Sequence, residues 1–105
     1  MTDPALEAGI EPVLGATAHV HLPRSLVALF PGASRRIDVR GETLAEVIDD
    51  LERQLPGIRD RLVDAGPMIR THLNVYVAGA RSTLGTMVAP GSEIHIVPAV
   101  SGGLA

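Results

Sequence analysis

The chain has 105 residues, of which 46% are hydrophobic and 2% aromatic, and its formal net charge is −3. This length suits one domain, and the apolar content excludes global disorder. The scarcity of aromatic residues and the acidic balance exclude a nucleic-acid partner. No apolar run is long enough to span a membrane, and no signal peptide is recognisable, so we expect a cytoplasmic protein without membrane contacts.

Cysteine and lysine are both absent from the chain. Without cysteine there can be no disulfide, no thiolate metal ligand and no cysteine nucleophile. Without lysine there is no side-chain amine to form a Schiff base. Any covalent chemistry must therefore use a hydroxyl, a carboxylate, a histidine or a chain terminus.

The first part of the chain predicts a leader, a strand, a short apolar segment and a second strand. Residues 1–15 show no period and predict a flexible leader. Residues 16–22 alternate between apolar and polar side chains, which predicts a strand with one buried face. Residues 24–30 predict one helical turn or a packed loop, and residues 34–40 predict a second strand that forms a hairpin with the first.

The clearest helix begins at Thr43. Thr43 and Glu46 have the spacing of a capping box. One apolar stripe follows at helical spacing, formed by Leu44, Val47, Ile48, Leu51 and Leu55. Pro56 and Gly57 end the helix, and residues 58–63 predict a further helical turn with Ile58 and Leu62 pointing inward.

The remaining strands are predicted at residues 72–77, at residues 81–84 as a short edge strand, and at residues 93–99. The resulting order, β-β-α-β-(β)-β, predicts an α+β fold of the β-grasp type. Its sheet is mixed, with four or five strands and one main helix packed on one face. The first and last strands lie side by side. We expect a folded domain over residues 16–100 and a flexible tail over residues 101–105.

Three stretches carry a further pattern: GETL at residues 41–44, LNVYVAG at residues 73–79 and PGSEIHIVPAVSGG at residues 90–103. They resemble the ThiS/MoaD sulfur-carrier family, whose members are ubiquitin-like β-grasp proteins that end in Gly-Gly. The last stretch is the most specific, because a turn, a strand, Pro-Ala-Val, a small residue and two glycines follow one another. The resemblance covers roughly residues 16–103.

The resemblance implies that the protein is a sulfur carrier and not an enzyme. The Gly103 carboxylate would be adenylated and then converted to a thiocarboxylate, which donates sulfur in cofactor, cysteine or secondary-metabolite biosynthesis. The implied partners are an E1-like adenylating enzyme, a sulfur donor and a sulfur-accepting synthase. No cofactor is expected on the chain itself, since the adenylating enzyme consumes the ATP. Gly102 would let the tail reach the enclosed active site of a partner enzyme, because glycine has no Cβ and fits a narrow channel. Residues 99–103 extend at most about 17 Å.

Leu104 and Ala105 follow the two glycines, which departs from the simplest family pattern. Gly103 therefore carries a peptide bond in place of a free carboxylate. The chain resembles the subtype with a two-residue extension, which a metal-dependent peptidase of the deubiquitinase type trims. We expect cleavage of the Gly103–Leu104 bond.

Four histidines are predicted to point away from the main helix: His19, His21, His72 and His95. The first two have a spacing that allows two metal ligands on one face, with His95 as a third, but the sequence shows no acidic residue that joins them. We therefore expect no metal site. By resemblance to ubiquitin-like proteins, this face docks the activating enzyme. The predicted partner-binding residues are His72, Tyr76, His95 and Val97.

Charged runs at residues 34–36 and 59–61 fit a solvated surface, and the alternative is that they steer an acidic partner. Asp49 and Asp50 lie on the polar helix face, where we expect them to contribute to solubility and not to acid–base catalysis.

Two other functions fit the same tail. The protein could be a ubiquitin-like modifier joined through Gly103 to another protein, or a non-catalytic subunit that inserts its tail into a synthase.

Overall fold

A computed structural model of the chain describes residues 17–99. In chain order these form β1 (Thr17–His21), α1 (Arg24–Val27), β2 (Arg36–Arg40), α2 (Leu44–Gln54), α3 (Ile58–Leu62), β3 (Leu73–Val77), β4 (Ala80–Arg81) and β5 (Glu93–Pro98). The predicted leader, residues 1–15, and the predicted tail, residues 101–105, lie outside the described residues.

The strands form one mixed sheet in the order β2-β1-β5-β3-β4. β1 pairs antiparallel with β2 and parallel with β5, and β5 pairs antiparallel with β3. A parallel pair needs a crossover connection, which the chain makes through α2, α3 and β3. The order confirms the predicted mixed sheet, with its first and last strands side by side.

The core lies between the sheet and α2, and it is aliphatic. Strand residues alternate so that every second side chain is buried. In β1, for example, Ala18 and Val20 are buried, and the residues on either side of them are partly exposed. Four residues of the predicted helical stripe are at most 1% exposed, namely Leu44, Val47, Ile48 and Leu51. Leu55 is only partly buried, because α2 ends at Gln54. Ile58 and Leu62 of α3 are fully buried, as predicted.

The N-terminus of α2 is capped largely as its sequence predicts. The Thr43 hydroxyl accepts a hydrogen bond from the Glu46 backbone N–H at 3.2 Å. The Glu46 carboxylate accepts a return bond from the N–H of Glu42, at 2.7 Å. The return bond thus reaches the residue before Thr43 and not Thr43 itself. The first bond satisfies a backbone donor that the first helical turn leaves without an internal partner, and the second satisfies the N–H of a residue just before the helix.

A loop after β4 completes this cap. The Leu44 N–H donates to the carbonyl of Thr86, and the Ala45 N–H donates to the carbonyl of Leu84, both at 2.9 Å. This role explains why the predicted edge strand at residues 81–84 is wrong in extent: β4 ends at Arg81 because the backbone beyond it turns away to the helix. A loop that closes a helix cannot also continue a strand ladder.

The other four strands are also shorter than predicted. The sequence predicted β1, β2, β3 and β5 over residues 16–22, 34–40, 72–77 and 93–99, and each lacks one or two of the predicted terminal residues within the described part of the chain. Single backbone hydrogen bonds still continue the pairing beyond the strand ends, from the Leu22 N–H to the Arg35 carbonyl and from the Ala99 N–H to the His72 carbonyl. The differences therefore concern fraying at the strand ends and leave the register intact.

Side chains of α2 cover the outer edge of β2. Gln54 donates from Nε2 to the Asp38 carbonyl at 2.8 Å, and the Arg40 N–H donates to Asp50 Oδ2 at 3.1 Å. These contacts occupy backbone groups that an edge strand otherwise presents to solvent.

Gly41 allows the chain to approach the start of α2 closely. Its φ is +157°, and a Cβ at this position would lie 2.7 Å from the Val47 nitrogen. We expect Gly41→Ala to lower the free energy of unfolding by about 2 kcal/mol, because backbone must shift to make room. Gly85→Ala is the matched control, since a Cβ there meets nothing within 4 Å. Urea denaturation of both variants tests this, and equal stabilities would contradict the steric argument.

Candidate functional site

The sheet face that points away from α2 carries most of the predicted site residues. We term it the outer face. On the three central strands, buried aliphatic side chains alternate with partly exposed or exposed ones. The outer face contains His19, His21, Tyr76, His95 and Val97.

One cross-strand row forms the centre of the outer face. The register places His21 opposite His95, and His95 opposite Tyr76. The two imidazole rings stack with centroids 4.3 Å apart and an angle of 6° between their planes. The row ends in an arginine on each side, because Arg36 is opposite His21 and Arg81 is opposite Tyr76. The result is a row of three aromatic side chains between two arginines, which suits contact with another protein.

Two carboxylates hold the histidines of β1 in place. His21 donates from Nε2 to Glu93 Oε1 at 2.5 Å, and His19 donates from Nδ1 to Asp38 Oδ1 at 2.7 Å. Sequence reasoning missed both partners. Asp38 lies opposite His19 in the β1–β2 hairpin, whereas Glu93 lies diagonally across the β1–β5 pair. Only the strand register could have identified them.

These contacts lower the pKa values of both carboxyl groups. The hydrogen bond from His21 holds the pKa of Glu93 below its ordinary value of 4.5, and the charges of His19, His21 and Arg36 add to the effect. The hydrogen bond from His19 likewise holds the pKa of Asp38 below 3.8. In both cases the ionised carboxylate accepts the hydrogen bond better than the protonated carboxyl group does. The hydrogen bond therefore favours the ionised form and lowers the pKa.

Ionisable side chains in the described part of the chain do not form a metal cage. Within residues 17–99, no group of three or more histidine, aspartate or glutamate side chains is arranged to hold a metal ion. None of the helices in the same residues is long and apolar enough to cross a membrane.

His72 does not join the other predicted partner-binding residues. It lies in the turn before β3 and not on the strand. The structure places it beside a separate pocket of about 480 Å³, together with Gly57, Asp60, Arg61 and Arg70. Tyr76, His95 and Val97 share the outer face, with Val97 opposite Asn74 and half-buried.

The C-terminal strand positions the start of the tail. The Ala99 N–H donates to the His72 carbonyl at 2.8 Å, which is the last backbone hydrogen bond of the described chain. Gly102, Gly103 and the Gly103–Leu104 bond lie outside the described residues. Their role as a reaction site stays a prediction from sequence.

Comparison with known proteins identifies the family. The model of the ThiS family matches residues 25–103, a stretch that begins within α1, contains β2 to β5 and ends at Gly103. The chain belongs to the ThiS family. The predicted resemblance is therefore confirmed.

Individual relatives support both the family and the fold. The sulfur carrier protein CysO of Mycobacterium tuberculosis is 36% identical over 78 residues, which cover 69% of this chain and 84% of CysO. The CysO structure from the BexX/CysO complex of Amycolatopsis orientalis superposes with a TM-score of 0.71 at 31% identity, covering 82% of this chain and 99% of that one. SAMP1 of Haloferax volcanii gives 0.70 at 26% identity, covering 84% and 100%. These matches confirm the ubiquitin-like β-grasp fold.

The contact between Glu93 and His21 predicts a pH-dependent stability. A carboxyl group whose folded pKa is lowered stabilises the fold above its ordinary value of 4.5, and the stabilisation is lost as the pH falls through the folded pKa. We expect Glu93→Gln to be less stable than the wild type at neutral pH, with a difference that shrinks below pH 4.5. Urea denaturation across this range measures it. Glu42→Gln, which contacts no histidine, is the control, and parallel curves for both variants would contradict the assignment.

Proposed function

We propose that this chain is a sulfur carrier protein that carries its sulfur at Gly103. The observation that supports this most directly is the family match, which extends through the last strand to Gly103. The CysO relatives are named sulfur carriers, and their similarity covers most of both chains. The thiocarboxylate would donate its sulfur in cofactor, cysteine or secondary-metabolite biosynthesis.

The proposed reaction begins at the Gly103 carboxyl group. A carboxylate oxygen first attacks the α-phosphorus of ATP, which releases pyrophosphate and leaves an acyl-adenylate. A sulfide or persulfide sulfur then attacks the carbonyl carbon, and AMP leaves. With sulfide, the product is directly the thiocarboxylate. With a persulfide, the product is an acyl disulfide, and a thiol of the partner must attack its outer sulfur to release the thiocarboxylate and leave a disulfide on the partner. The chain supplies only the reacting carboxyl group, so an E1-like partner must provide the ATP site and the catalytic groups.

The composition of the chain protects this intermediate. An acyl-adenylate reacts readily with thiols and amines. The chain has neither cysteine nor lysine, so no side-chain thiol or amine of the carrier can attack its own activated terminus. The activated carboxyl group therefore depends on the partner for its nucleophile.

Trimming must precede adenylation. In the sequence, Leu104 follows Gly103, and a peptide carbonyl offers no carboxylate oxygen to attack ATP. We propose that a metal-dependent peptidase cleaves the Gly103–Leu104 bond. The uncleaved form would then be an inactive precursor of the carrier.

The outer face is the proposed docking surface for the adenylating enzyme and the sulfur-accepting synthase. The rings of His21 and His95 stack, Glu93 holds His21 by a hydrogen bond, and Tyr76 lies opposite His95 on the neighbouring strand. A pre-ordered aromatic surface loses little conformational entropy on binding. Val97 adds an aliphatic contact near the point where the chain leaves the sheet.

The intact mass of the protein from its own cells tests the carrier function. We expect a mass that ends at Gly103 and carries one oxygen-to-sulfur exchange, with retardation on a gel that contains a mercury reagent. Leu104→Pro is the matched control, because most peptidases do not cleave before proline, and it should remain untrimmed and unsulfurated. A wild-type mass that always retains Leu104, even under high sulfur demand, would contradict the proposal.

Truncation of Tyr76 tests the docking surface. We expect Tyr76→Ala to lower kcat/KM for thiocarboxylate formation by about tenfold, because central aromatic residues dominate binding at such surfaces. Leu29→Ala is the control, since Leu29 is 48% exposed and lies outside the outer face. Rates are measured with purified chain that ends at Gly103, in lysate of the native cells with ATP and sulfide. Equal rates for both variants would refute docking through this face.

A ubiquitin-like modifier is the second candidate. Small archaeal modifier protein 1 of Haloferax volcanii is 33% identical over 69 residues, which cover 65% of this chain and 79% of that protein. In this case a lysine of another protein attacks the Gly103 adenylate and forms an isopeptide bond. Proteomics of the same cells distinguishes the two, because a modifier leaves glycine remnants of this tail on lysines of other proteins. Such adducts without any thiocarboxylate would favour the modifier.

A further inference from the structure

A charged pocket lies where the tail leaves the domain. It is lined by Gly57, Asp60, Arg61, Arg70 and His72, and we term it the root pocket. We propose that the root pocket receives a carboxylate side chain of the enzyme that activates the tail. This inference rests on the proposed function and adds a second contact, separate from the outer face.

The length of the tail brings any such enzyme to the root pocket. The Ala99 N–H is hydrogen-bonded to the His72 carbonyl, so the chain leaves the sheet at the rim of the pocket. Gly103 is four residues further, a distance of at most about 14 Å when fully extended. An enzyme that encloses Gly103 in an active site must therefore bring its surface close to His72 and its neighbours.

Arg70 is oriented for a carboxylate. Its Nε donates to the Asp60 carbonyl at 2.7 Å, and its backbone N–H donates to the Leu62 carbonyl at 2.9 Å. The two terminal nitrogens of its guanidinium make no hydrogen bond within residues 17–99. Because Nε is anchored, the remaining N–H groups have a fixed direction. A fixed guanidinium fork is the arrangement that binds a carboxylate through two parallel hydrogen bonds.

The charges around Arg70 also favour an acidic partner. Neither Arg61 nor Arg70 forms an ion pair with an acidic residue in the described part of the chain, whereas the neighbouring Arg59 pairs with Asp49 at 3.2 Å. Asp60 is the single acid that lines the pocket, so the arginines exceed it by one charge. Covering these guanidinium groups without an acceptor would be costly, and a partner carboxylate removes that cost.

The test measures thiocarboxylate formation on purified chains that end at Gly103, in clarified lysate of the native cells supplied with ATP and sulfide. The Arg61→Ala/Arg70→Ala double variant should raise the apparent KM by about tenfold and leave the maximal rate unchanged, because it weakens docking without touching Gly103. Between about 0.05 and 0.3 M NaCl, the wild-type rate at low chain concentration should fall more steeply than that of the variant.

Two further variants control for charge and folding. Arg24→Ala/Arg40→Ala removes the same charge at two exposed arginines that neither line the root pocket nor belong to the cross-strand row of the outer face, and it should leave KM close to the wild-type value. Arg61→Glu covers the case in which loss of the Arg70–Asp60 contact unfolds the double variant. Arg61 is exposed and makes no hydrogen bond with its side chain in the described residues, so this change should raise KM in a folded protein.

The outcomes separate this inference from the proposed function. If the wild-type chain acquires sulfur and KM is unchanged in the Arg61→Glu and double variants, the root-pocket contact is overturned. The sulfur-carrier proposal is then unaffected. An increased KM in the Arg24→Ala/Arg40→Ala control, equal to that of the root-pocket variants, would also overturn the root-pocket contact, because net charge alone would explain the effect. A wild-type chain that acquires no sulfur would overturn both proposals.

Discussion

The parallel pairing of β1 with β5 is the contact on which the rest of this structure depends. It joins the first described strand to the last, with His19 opposite Glu93, Val20 opposite Ile94 and His21 opposite His95. On the inner face this brings two fully buried aliphatic side chains into the core. On the outer face it stacks two imidazoles. It also fixes the direction in which the chain leaves the sheet, and so the place where the tail begins.

The two faces of the sheet differ in the chemistry of their side chains as well as in burial. The core is aliphatic, and Tyr76 and the imidazoles of His19, His21 and His95 are placed on the outer face. The core therefore needs no polar partner for any aromatic hydroxyl or ring nitrogen. On the outer face, the ring nitrogens of His19 and His21 form hydrogen bonds with Asp38 and Glu93. Changes to the outer face can consequently alter its surface chemistry with little effect on the packing of the core.

Periodicity and turn residues predicted most of the fold, because both act over a few neighbouring residues. The alternation in β1 and the stripe in α2 each reflect one buried face, and the Thr43 cap is local. The part that could not be predicted depends on residues distant in sequence. Leu84 lies in a segment that looks like a strand, yet its carbonyl caps α2. Glu93 reaches His21 only through the strand register, and Arg70 is oriented by the carbonyl of Asp60.

The covered edge of β2 has a consequence for the behaviour of the protein at high concentration. An open edge strand is a template on which a second chain can add its own strand, and repeated addition leads to aggregates. Here Gln54 and Asp50 already occupy backbone groups of Asp38 and Arg40 along that edge. The polar face of α2 therefore does more than meet solvent: it shields one edge of the sheet against strand addition. At the other edge β4 is only two residues long, which leaves little ladder to extend.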